Sequence, residues 1–93
     1  MIEDSISIVI PVYNEEESIS PLYIELKDAL KDFSKYEIIF INDGSNDNSS
    51  MKINSIADQD EHVILIDLIC NYGKADALNE GFKVSSGDII ITL

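Results

Sequence analysis

Three stretches of the sequence place an aromatic ring, a carboxylate and an ammonium group next to predicted strands. The stretch "PVYNEEE" contains Tyr13, a flat ring with a hydroxyl at its edge that is suited to stacking on a nucleobase. The stretch "INDGSNDNSS" contains Asp43, a carboxylate that needs donors over a crevice, which the imide or amide N–H of uracil or guanine could supply. The stretch "CNYGKADALNEG" contains Lys74, whose charge could be offset by a diphosphate.

Each of these stretches also has an explanation that needs no ligand. Tyr13 could only cover the end of the sheet, and the acidic residues that follow it favour a helix amino terminus. Gly44 permits a positive φ angle, and Ser45 or Asp47 could cap the next helix. Lys74 could be an ordinary exposed lysine, although a lysine in the first turn of a helix opposes the helix dipole. The residues alone leave these alternatives open.

Four β-branched runs predict the strands that position these groups. The runs are nearly continuous in apolar residues, as expected for strands of a parallel sheet that are buried on both faces, the last run included. They are "SISIVIPV" (Ser5 to Val12), "YEIIFIN" (Tyr36 to Asn42), "HVILIDL" (His62 to Leu68) and "DIIITL" (Asp88 to Leu93). In a parallel sheet the groups of interest follow the carboxyl ends of the strands.

The first connection between these runs predicts an amphipathic helix. Its apolar residues recur at three- and four-residue spacing, which indicates one buried face. They are Ile19, Leu22, Tyr23, Leu26, Leu30 and Phe33. Ser18 or Ser20 could cap the helix, which places Pro21 in the first turn, where a missing N–H costs nothing.

The second and third connections also predict helices. The second is shorter, with a weaker apolar face that consists of Met51, Ile53, Ile56 and Ala57. The third runs from Lys74 to about Ser86 and ends at Gly87, a suitable C′ residue. Its apolar face consists of Ala75, Leu78 and Phe82.

The order of elements, βαβαβαβ, predicts one α/β domain over residues 1–93. Right-handed crossovers and helices on both faces make this an open doubly wound parallel sheet with the strand order 3-2-1-4. Such sheets bind ligands outside the carboxyl ends of their strands, where the strand order reverses. We therefore expect a ligand crevice at the switch between strands 1 and 4.

Composition and charge narrow the class of protein. With 45% apolar and 26% charged residues, the chain has the composition of an ordinary globular domain. A formal net charge of -12 disfavours nucleic acids and anionic lipid surfaces, so an anionic ligand would need a divalent cation or a local basic group. The amino terminus has no basic n-region and no apolar run of membrane-spanning length, which predicts a soluble chain.

Two single residues and two missing motifs exclude further classes. Cys70 is predicted to be a small buried side chain in a reducing compartment, and His62 a loop residue; neither indicates a zinc site. The glycine-rich signatures of dinucleotide oxidoreductases and of P-loop enzymes do not occur in the sequence. Both of those enzyme classes are therefore disfavoured.

Four motifs, in this order, resemble those of a known family. The stretches "SIVIPVYNEEESI", "YEIIFINDGSNDNS", "NYGKADALNEGF" and "SGDIIITL" are similar to the successive amino-terminal motifs of inverting family-two glycosyltransferases of GT-A fold. The nearest subgroup is the polyprenyl-phosphate and dolichyl-phosphate sugar transferases. The resemblance implies transfer of a sugar from a UDP- or GDP-linked donor to a polyprenyl phosphate or to a glycan of the cell envelope.

The resemblance also implies roles for individual residues. Pro11, Tyr13 and Glu15 would line the base and ribose of the nucleotide. Asp43 would accept a hydrogen bond from the base, and Lys74 would lie near the base or the diphosphate. No residue of this chain is assigned as catalytic.

In the family, a D-x-D motif that holds Mg²⁺ or Mn²⁺ against the diphosphate directly follows a strand like the fourth one. This sequence stops at Leu93, before such a motif, so we expect a fragment of a longer enzyme that is inactive by itself. The metal ligands, the catalytic base and the acceptor-binding segments would lie beyond Leu93. The expected location is cytoplasmic, with the whole protein at the cytoplasmic face of a membrane.

Two other classes of protein remain open. A receiver-like signalling domain is also a small acidic α/β sheet, but it needs an acidic pair after strand 1 and a phosphoacceptor after strand 3, which Glu15 to Glu17 and Asp67 match only loosely. A non-catalytic α/β interaction module is the other alternative. In that last case strand 4 would be left at an edge of the sheet with its backbone pairing groups exposed, so we expect the isolated chain to self-associate through that edge.

Overall fold

The computed structural model describes residues 4–93, in which strands and helices alternate. The elements are β1 (Ile6–Val12), α1 (Glu16–Ala29), β2 (Tyr36–Asn42), α2 (Ser49–Gln59), β3 (Val63–Asp67), α3 (Lys74–Val84) and β4 (Ile89–Thr92). This order confirms the predicted βαβαβαβ arrangement. Each strand begins and ends within one residue of its predicted run.

The four strands form a single parallel sheet in the order β3-β2-β1-β4, as predicted. β1 pairs with β2 along its whole length, from Ile6 opposite Tyr36 to Val12 opposite Asn42. On its other side β1 pairs with β4, beginning with Ile6 opposite Ile89. The strand order therefore reverses between β1 and β4, and the carboxyl ends of all four strands lie at one edge.

Helices cover both faces of the sheet, so successive strand residues enter different cores. Ile8 and Ile10 of β1 pack in a core with residues of α1 and α2, while Val9 packs in a second core with Ala77 of α3. Because both faces are buried and Ser7 is the one polar residue of β1, the sequence of β1 reads as a nearly continuous apolar run. The predicted burial on both faces is confirmed for β1 and β2.

α1 begins earlier than predicted. Its N-cap residue is Glu15, which makes no side-chain capping hydrogen bond, and Pro21 lies inside the helix beyond the first turn. The predicted caps, Ser18 and Ser20, are therefore wrong. The predicted apolar face is confirmed, since every residue assigned to it lies in or against the first core.

The apolar face of α2 is narrower than predicted. Ile53 is fully buried, and Ile56 and Ala57 pack against the first core. Met51 is 65% exposed, so its assignment to this face is wrong.

α3 packs on the sheet through a different set of residues from the one predicted. Ala77 and Gly81 are buried, and Leu78 packs beside them, whereas Ala75 and Phe82 are exposed. A Cβ atom on Gly81 would overlap a valine methyl of β1, because the helix lies very close to the sheet at this point. The small residues of α3 thus form its buried face, and the predicted positions of Ala75 and Phe82 are wrong.

Gly87 is not the C′ residue of α3, as the sequence predicted. The helix is followed by Ser85 in extended conformation, and Gly87 instead lies against β1, where a Cβ would come within 2.7 Å of the Ser7 nitrogen. The buried Ser7 hydroxyl accepts the Gly87 N–H at 2.9 Å and donates to Glu37 at 2.6 Å. These contacts hold the chain against β1 where β4 begins.

β4 is exposed, although the sequence predicted a buried strand. Ile89, Ile90 and Ile91 are 42%, 45% and 41% exposed. β4 lies at the edge of the sheet and pairs on one side with β1. The apolar side chains of β4 therefore lie at the surface of the part that the structure describes, and not in a core.

A buried carboxylate near the amino ends of β2 and β3 joins α1 to the turn before β3. Asp60 accepts hydrogen bonds from the Tyr23 hydroxyl and the His62 backbone N–H, and it pairs with Lys27 at 3.1 Å. Although burial raises the pKa of Asp60, these donors outweigh burial and hold the pKa below its usual value. Lys27 also donates to the Tyr36 hydroxyl at 3.0 Å, and the Tyr36 ring stacks on His62 at 4.0 Å.

Replacing Asp60 with Asn should destabilise the protein at neutral pH. The amide would lack the charge opposite Lys27 and would leave a donor unpaired, so we expect a loss of about 1–3 kcal/mol in the free energy of unfolding. Because the pKa of Asp60 is lowered by folding, its contribution is full above the unfolded pKa and is lost as the pH falls through the folded pKa. Urea unfolding of both proteins at neutral pH and below about pH 3 measures this difference, which should shrink in acid.

The matched control is Asp58→Asn, which removes the same charge from an exposed position of α2. We expect the control to change the free energy of unfolding by less than about 0.5 kcal/mol. Equal losses for the two variants at neutral pH would contradict the role of Asp60.

Candidate functional site

A pocket of about 540 Å³ opens at the carboxyl ends of the strands. Its volume falls within the range of roughly 300–1,000 Å³ that is usual for small-molecule sites. The lining residues are Ile10, Pro11, Val12, Tyr13, Glu15, Leu22, Asp43, Asn71, Gly73, Lys74 and Leu93. The pocket therefore lies where the doubly wound topology predicted a crevice.

All five residues that the sequence predicted to bind a nucleotide line this pocket. Pro11 lies in β1, and Tyr13 and Glu15 follow it in the connection to α1. Asp43 comes directly after β2, and Lys74 is the first residue of α3. The predicted convergence of three chain segments is confirmed, and the binding role of each residue stays a prediction.

Asp43 is buried, with 3% of its surface exposed, and its carboxylate is bound by the connection between β3 and α3. The Tyr72 N–H donates to Oδ1 at 2.8 Å, and the Gly73 N–H donates to Oδ2 at 3.0 Å. The Asn71 side-chain amide donates to Oδ2 at 3.1 Å and to the Asp43 carbonyl oxygen at 3.0 Å. These donors offset the cost of burying the charge. The protein therefore supplies donors to this carboxylate itself, and a further hydrogen bond from a base to Asp43 stays a prediction.

Gly44 allows the same connection to lie against the end of β2. Its φ angle is 71°, which confirms the predicted positive φ. A Cβ atom at Gly44 would overlap the backbone of Cys70 and Asn71, and would lie 2.9 Å from the Cys70 Cα. Asp43 binds the connection between β3 and α3 through hydrogen bonds. Gly44 has no side chain and therefore leaves space for the backbone of that connection.

The β1–α1 and β2–α2 connections are tied together by hydrogen bonds between side chains and backbone. Asn14, with a φ angle of 50°, accepts the Asn46 N–H at 2.7 Å through its Oδ1. The Asn14 N–H donates to the Ser45 hydroxyl at 2.9 Å. Ser45, a predicted cap of α2, therefore serves the neighbouring connection instead. These bonds fix the segment that carries Tyr13.

Asp47 accepts hydrogen bonds from the first turns of two helices. Its Oδ1 accepts the Ser49 N–H of α2 at 2.9 Å, and its Oδ2 accepts the Glu16 N–H of α1 at 3.3 Å. Hydrogen bonds from Ser49, followed by that from Glu16, hold the pKa of Asp47 below its usual value. The N-cap residue of α2 is Asn48, which makes no side-chain capping hydrogen bond. Asp47 thus has the capping role predicted for it, and it also stabilises the start of α1.

Lys74 supplies the positive charge in the pocket lining. It occupies the first position of α3, as predicted, where its charge opposes the helix dipole. It is exposed and, among residues 4–93, forms no ion pair. An anionic group in the pocket could pair with the Lys74 ammonium group. Such a pair would also compensate for the unfavourable interaction between the lysine and the helix dipole.

Cys70 is exposed, although the sequence predicted a buried side chain. It precedes the residues that bind Asp43, in a segment that lies at the surface. A hydrogen bond with the Cys70 side chain raises the pKa of Tyr72. Cys70 lies outside the sheet because β3 ends at Asp67.

Three residues around the pocket have positioning roles that were not predicted from the sequence. Asn14, Ser49 and Asn71 orient the connections around the pocket through hydrogen bonds. Asn14 carried a usable signal, because asparagine tolerates a positive φ better than other residues with side chains. The roles of Ser49 and Asn71 depend on partners distant in sequence, so no local signal indicates them.

Neither a metal centre nor a membrane span is found in the part of the chain that the structure describes. In residues 4–93 no group of three or more His, Cys, Asp and Glu side chains is arranged to hold a metal ion. The sequence resemblance implied metal ligands beyond Leu93, so metal binding by the whole protein stays a prediction. None of the described helices combines the length and the apolar character required to cross a bilayer.

Comparison with known sequences finds relatives along most of the chain. The family model described as "Glycosyl transferase family 2" matches residues 7–93. Undecaprenyl-phosphate 4-deoxy-4-formamido-L-arabinose transferases from Yersinia pestis (strain Pestoides F) and Yersinia pseudotuberculosis serotype I (strain IP32953) are 49% identical over 90 residues. The match covers 95% of this chain, which spans 28% of the length of these relatives.

Three solved structures share the fold. The crystal structure of residues 1–349 of S. aureus TarS superposes with a TM-score of 0.81 and 24% identity, over 96% of this chain and 26% of the solved chain. The mannosyltransferase PcManGT from Pyrobaculum calidifontis was solved with GDP-Man and Mn²⁺. It superposes with a TM-score of 0.73 and 23% identity, over 97% of this chain and 27% of its own chain. Glucosyl-3-phosphoglycerate synthase from Mycobacterium tuberculosis was solved with Mn²⁺, UDP and glucosyl-3-phosphoglycerate. It superposes with a TM-score of 0.71 and 28% identity, over 97% of this chain and 33% of its own chain. These likenesses confirm the predicted GT-A type of α/β fold.

Replacing Gly44 with Ala should destabilise the protein and displace the connection between β3 and α3. The new Cβ would overlap backbone atoms that cannot rotate away, so we expect a loss of at least about 2 kcal/mol in the free energy of unfolding. Gly44→Asn is the informative companion, because Asn adopts positive φ more readily but carries the same Cβ. Chemical denaturation should find both variants destabilised, and a fully stable Gly44→Asn protein would contradict the steric explanation.

Proposed function

Because the chain belongs to glycosyl transferase family 2, we propose that its pocket binds the nucleotide part of a nucleoside-diphosphate sugar. The observation that carries this proposal is the convergence of Tyr13, Asp43 and Lys74 on one pocket from three separate segments. A ring, a carboxylate and an ammonium group match the stacking face, the polar edge and the diphosphate of such a donor.

The base and the ribose are assigned to the part of the pocket near the end of β1. Tyr13 is 44% exposed, which leaves its ring free to stack on a base. Pro11 and Glu15 line the same pocket, and the Glu15 carboxylate can accept a hydrogen bond from a ribose hydroxyl. Asp43 Oδ1 accepts one hydrogen bond in this structure and has the capacity to accept another from a base N–H.

The diphosphate is assigned to Lys74. A protein with a net charge of -12 repels a nucleotide at long range, so binding requires a local positive charge. Lys74 lines the pocket, and the first turn of α3 contributes backbone N–H groups that favour an anion. The carboxylate of Asp43 opposes the diphosphate less than its charge implies, because it is already bound by three donor groups.

For the whole protein we propose transfer of the sugar to an acceptor by direct displacement. The acceptor oxygen would bond to the anomeric carbon as the bond to the nucleoside diphosphate breaks, with the acceptor proton passing to a base. We assign neither that base nor a metal ligand to residues 4–93, so this chain alone should not catalyse transfer. The Mn²⁺ in two of the similar structures supports a Mg²⁺ or Mn²⁺ requirement for the whole protein.

The names of the relatives support a polyprenyl phosphate as the acceptor. Relatives at 49% identity are named as transferases acting on undecaprenyl phosphate, and a glycan of the cell envelope is the alternative acceptor. An acceptor with a polyprenyl chain resides in a membrane, so we place the whole protein at the cytoplasmic face of a membrane. Nucleotide binding by this pocket does not depend on which base, sugar or acceptor the whole protein uses.

The receiver-like alternative gains no support from the structure. Asp67, the candidate phosphoacceptor, lies at the end of β3, and its carboxylate accepts hydrogen bonds from Asn42 at 2.7 Å and Ser50 at 2.8 Å. Both carboxylate oxygens of Asp67 are therefore engaged by neighbouring side chains in this structure.

Titration with nucleotides tests the proposed function. We expect UDP or GDP to shift the NMR amide resonances of Tyr13, Asp43 and Lys74, because these residues line one pocket. Lys74→Met should weaken binding of the diphosphate by about tenfold through loss of a charge-assisted contact. Lys35→Met is the matched control, since Lys35 is exposed and lies outside this pocket. A well-folded protein whose spectrum responds to neither nucleotide would refute the proposal, as would equal effects of the two lysine substitutions.

We also propose that the isolated chain self-associates through β4. An edge strand offers unpaired backbone N–H and C=O groups, and β4 combines this edge with three exposed isoleucines. A second copy of the strand can satisfy those groups through antiparallel pairing about a two-fold axis.

Ile90→Lys should abolish this self-association, because a charged side chain on an edge strand opposes pairing. Ile24→Lys is the matched control: Ile24 is 65% exposed on α1, so the substitution adds the same charge away from β4. Sedimentation velocity at increasing concentration should find Ile24→Lys associating like the original chain and Ile90→Lys monomeric. An original chain that stays monomeric throughout would contradict the proposal.

A further inference from the structure

The backbone N–H groups of residues 14–16, at the start of α1, all donate to side chains of one short stretch at the start of α2. The distances from donor to acceptor are 2.9 Å for residue 14, 3.2 Å for residue 15 and 3.3 Å for residue 16. The acceptors are every second residue of that stretch, and we call them the clamp: Ser45, Asp47 and Ser49. Three successive donors of one segment are therefore bound by one other segment.

We propose that the clamp positions the Glu15 carboxylate for the ribose of a nucleotide and thereby selects ribose over deoxyribose. The inference rests on the proposed function, in which Glu15 accepts a hydrogen bond from a ribose hydroxyl. Glu15 lines the pocket, whereas the three clamp residues do not. The clamp therefore acts through residue 15, and its members are positioning residues.

Glu15 depends on such a restraint because its own side chain is not fixed by the fold. It is exposed and makes no side-chain capping hydrogen bond. Its neighbours Tyr13 and Asn14 are also exposed, so this segment buries little apolar surface and should open at a low free energy. The Glu15 carbonyl oxygen accepts the Ser18 N–H of α1 at 2.9 Å, while the Glu15 N–H is bound by the clamp. The helix and the clamp together determine where the carboxylate lies.

The Ser49 hydroxyl is the central group of the clamp. Ser49 is fully buried, and its hydroxyl accepts the Glu15 N–H and donates to the Asp47 carboxylate. Asp47 accepts the Ser49 N–H at 2.9 Å in return. A buried hydroxyl that both donates and accepts is held in one orientation, so it holds the Glu15 N–H in a defined place.

Two further hydrogen bonds join the same segments on either side of Glu15. The Asn46 N–H donates to Asn14 Oδ1 at 2.7 Å, and Lys52 Nζ donates to the Glu16 carbonyl oxygen at 3.0 Å. Glu15 therefore lies between two residues that are each bound to the β2–α2 region, which limits its displacement in both directions along the chain.

A purely structural role for the clamp predicts a different result. Loss of a hydrogen bond at a helix start lowers the free energy of unfolding but leaves the affinities of the folded protein in the same ratio. Displacement of Glu15 weakens only those ligands that carry the hydroxyl bound by its carboxylate. Comparison of ribose with deoxyribose ligands therefore separates the two roles.

The test measures binding of UDP or GDP, whichever binds more tightly, and of its two analogues that each lack one ribose hydroxyl. The proteins are the original chain, Ser49→Ala, Glu15→Gln and the double variant. We expect the original chain to bind at least one analogue about fivefold more weakly than the complete nucleotide. In Ser49→Ala this preference should fall below about twofold. In the Glu15→Gln background, Ser49→Ala should change the affinity for the complete nucleotide by less than about twofold, because both residues act through one contact.

Ser55→Ala is the matched control, since Ser55 is an exposed serine of the same helix, and it should leave every affinity unchanged. A preference for the complete nucleotide that survives in Ser49→Ala would overturn the inference. An original chain that binds the nucleotide and its analogues equally would also overturn it, because Glu15 would then have no ribose contact. If Ser49→Ala does not fold, Asp47→Asn keeps one of the two acceptor oxygens and should reduce the preference by about twofold.

Amide hydrogen exchange separates this inference from the proposed function. In Ser49→Ala without ligand, the amides of Glu15 and Glu16 should exchange at least about tenfold faster than in the original chain, while amides of β1 keep their protection. Unchanged exchange at these two amides would refute the clamp, even if nucleotides bind. If no nucleotide binds the original chain, the proposed function fails and ribose selection fails with it, and the exchange rates still decide whether the clamp holds Glu15.

Discussion

The hydrogen bonds to the buried carboxylate of Asp43 are the interaction on which the pocket depends. A charge at 3% exposure is stable only where donors surround it, and every donor that the structure gives it comes from the connection after β3. The carboxylate therefore binds the end of β2 to the start of α3. Gly44 completes this arrangement, because any side chain there would displace the same backbone.

The sheet topology explains why residues far apart in sequence meet at this point. In the order β3-β2-β1-β4, the connections after β1 and β2 leave the same edge of the sheet, and α3 begins beside them. Asn14 and Asp47 then hold the β1–α1 connection to the β2–α2 connection. Tyr13 and Lys74 thus lie on segments that are each tied to the residues following β2, which makes one pocket of three separate loops.

The strand order and the convergence of the five pocket residues were predictable, because continuous apolar runs and parallel topology determine both. The donors to Asp43 were not predictable, since Tyr72 and Gly73 lie far along the chain and donate through backbone groups that all residues share. The face of α3 was mispredicted because apolar spacing favoured Phe82, whereas the close approach of the helix to the sheet requires Gly81. Similarly, the apolar run of β4 predicted burial, which depends on what packs against the strand rather than on the strand itself.

The most direct test of this account is a crystal structure of the chain with a bound nucleoside diphosphate. We predict a base stacked on Tyr13 and a diphosphate paired with Lys74, while the Tyr72 and Gly73 N–H groups still donate to Asp43. A nucleotide bound at another surface, or a bound nucleotide beside an Asp43 carboxylate that has released the connection, would contradict the account.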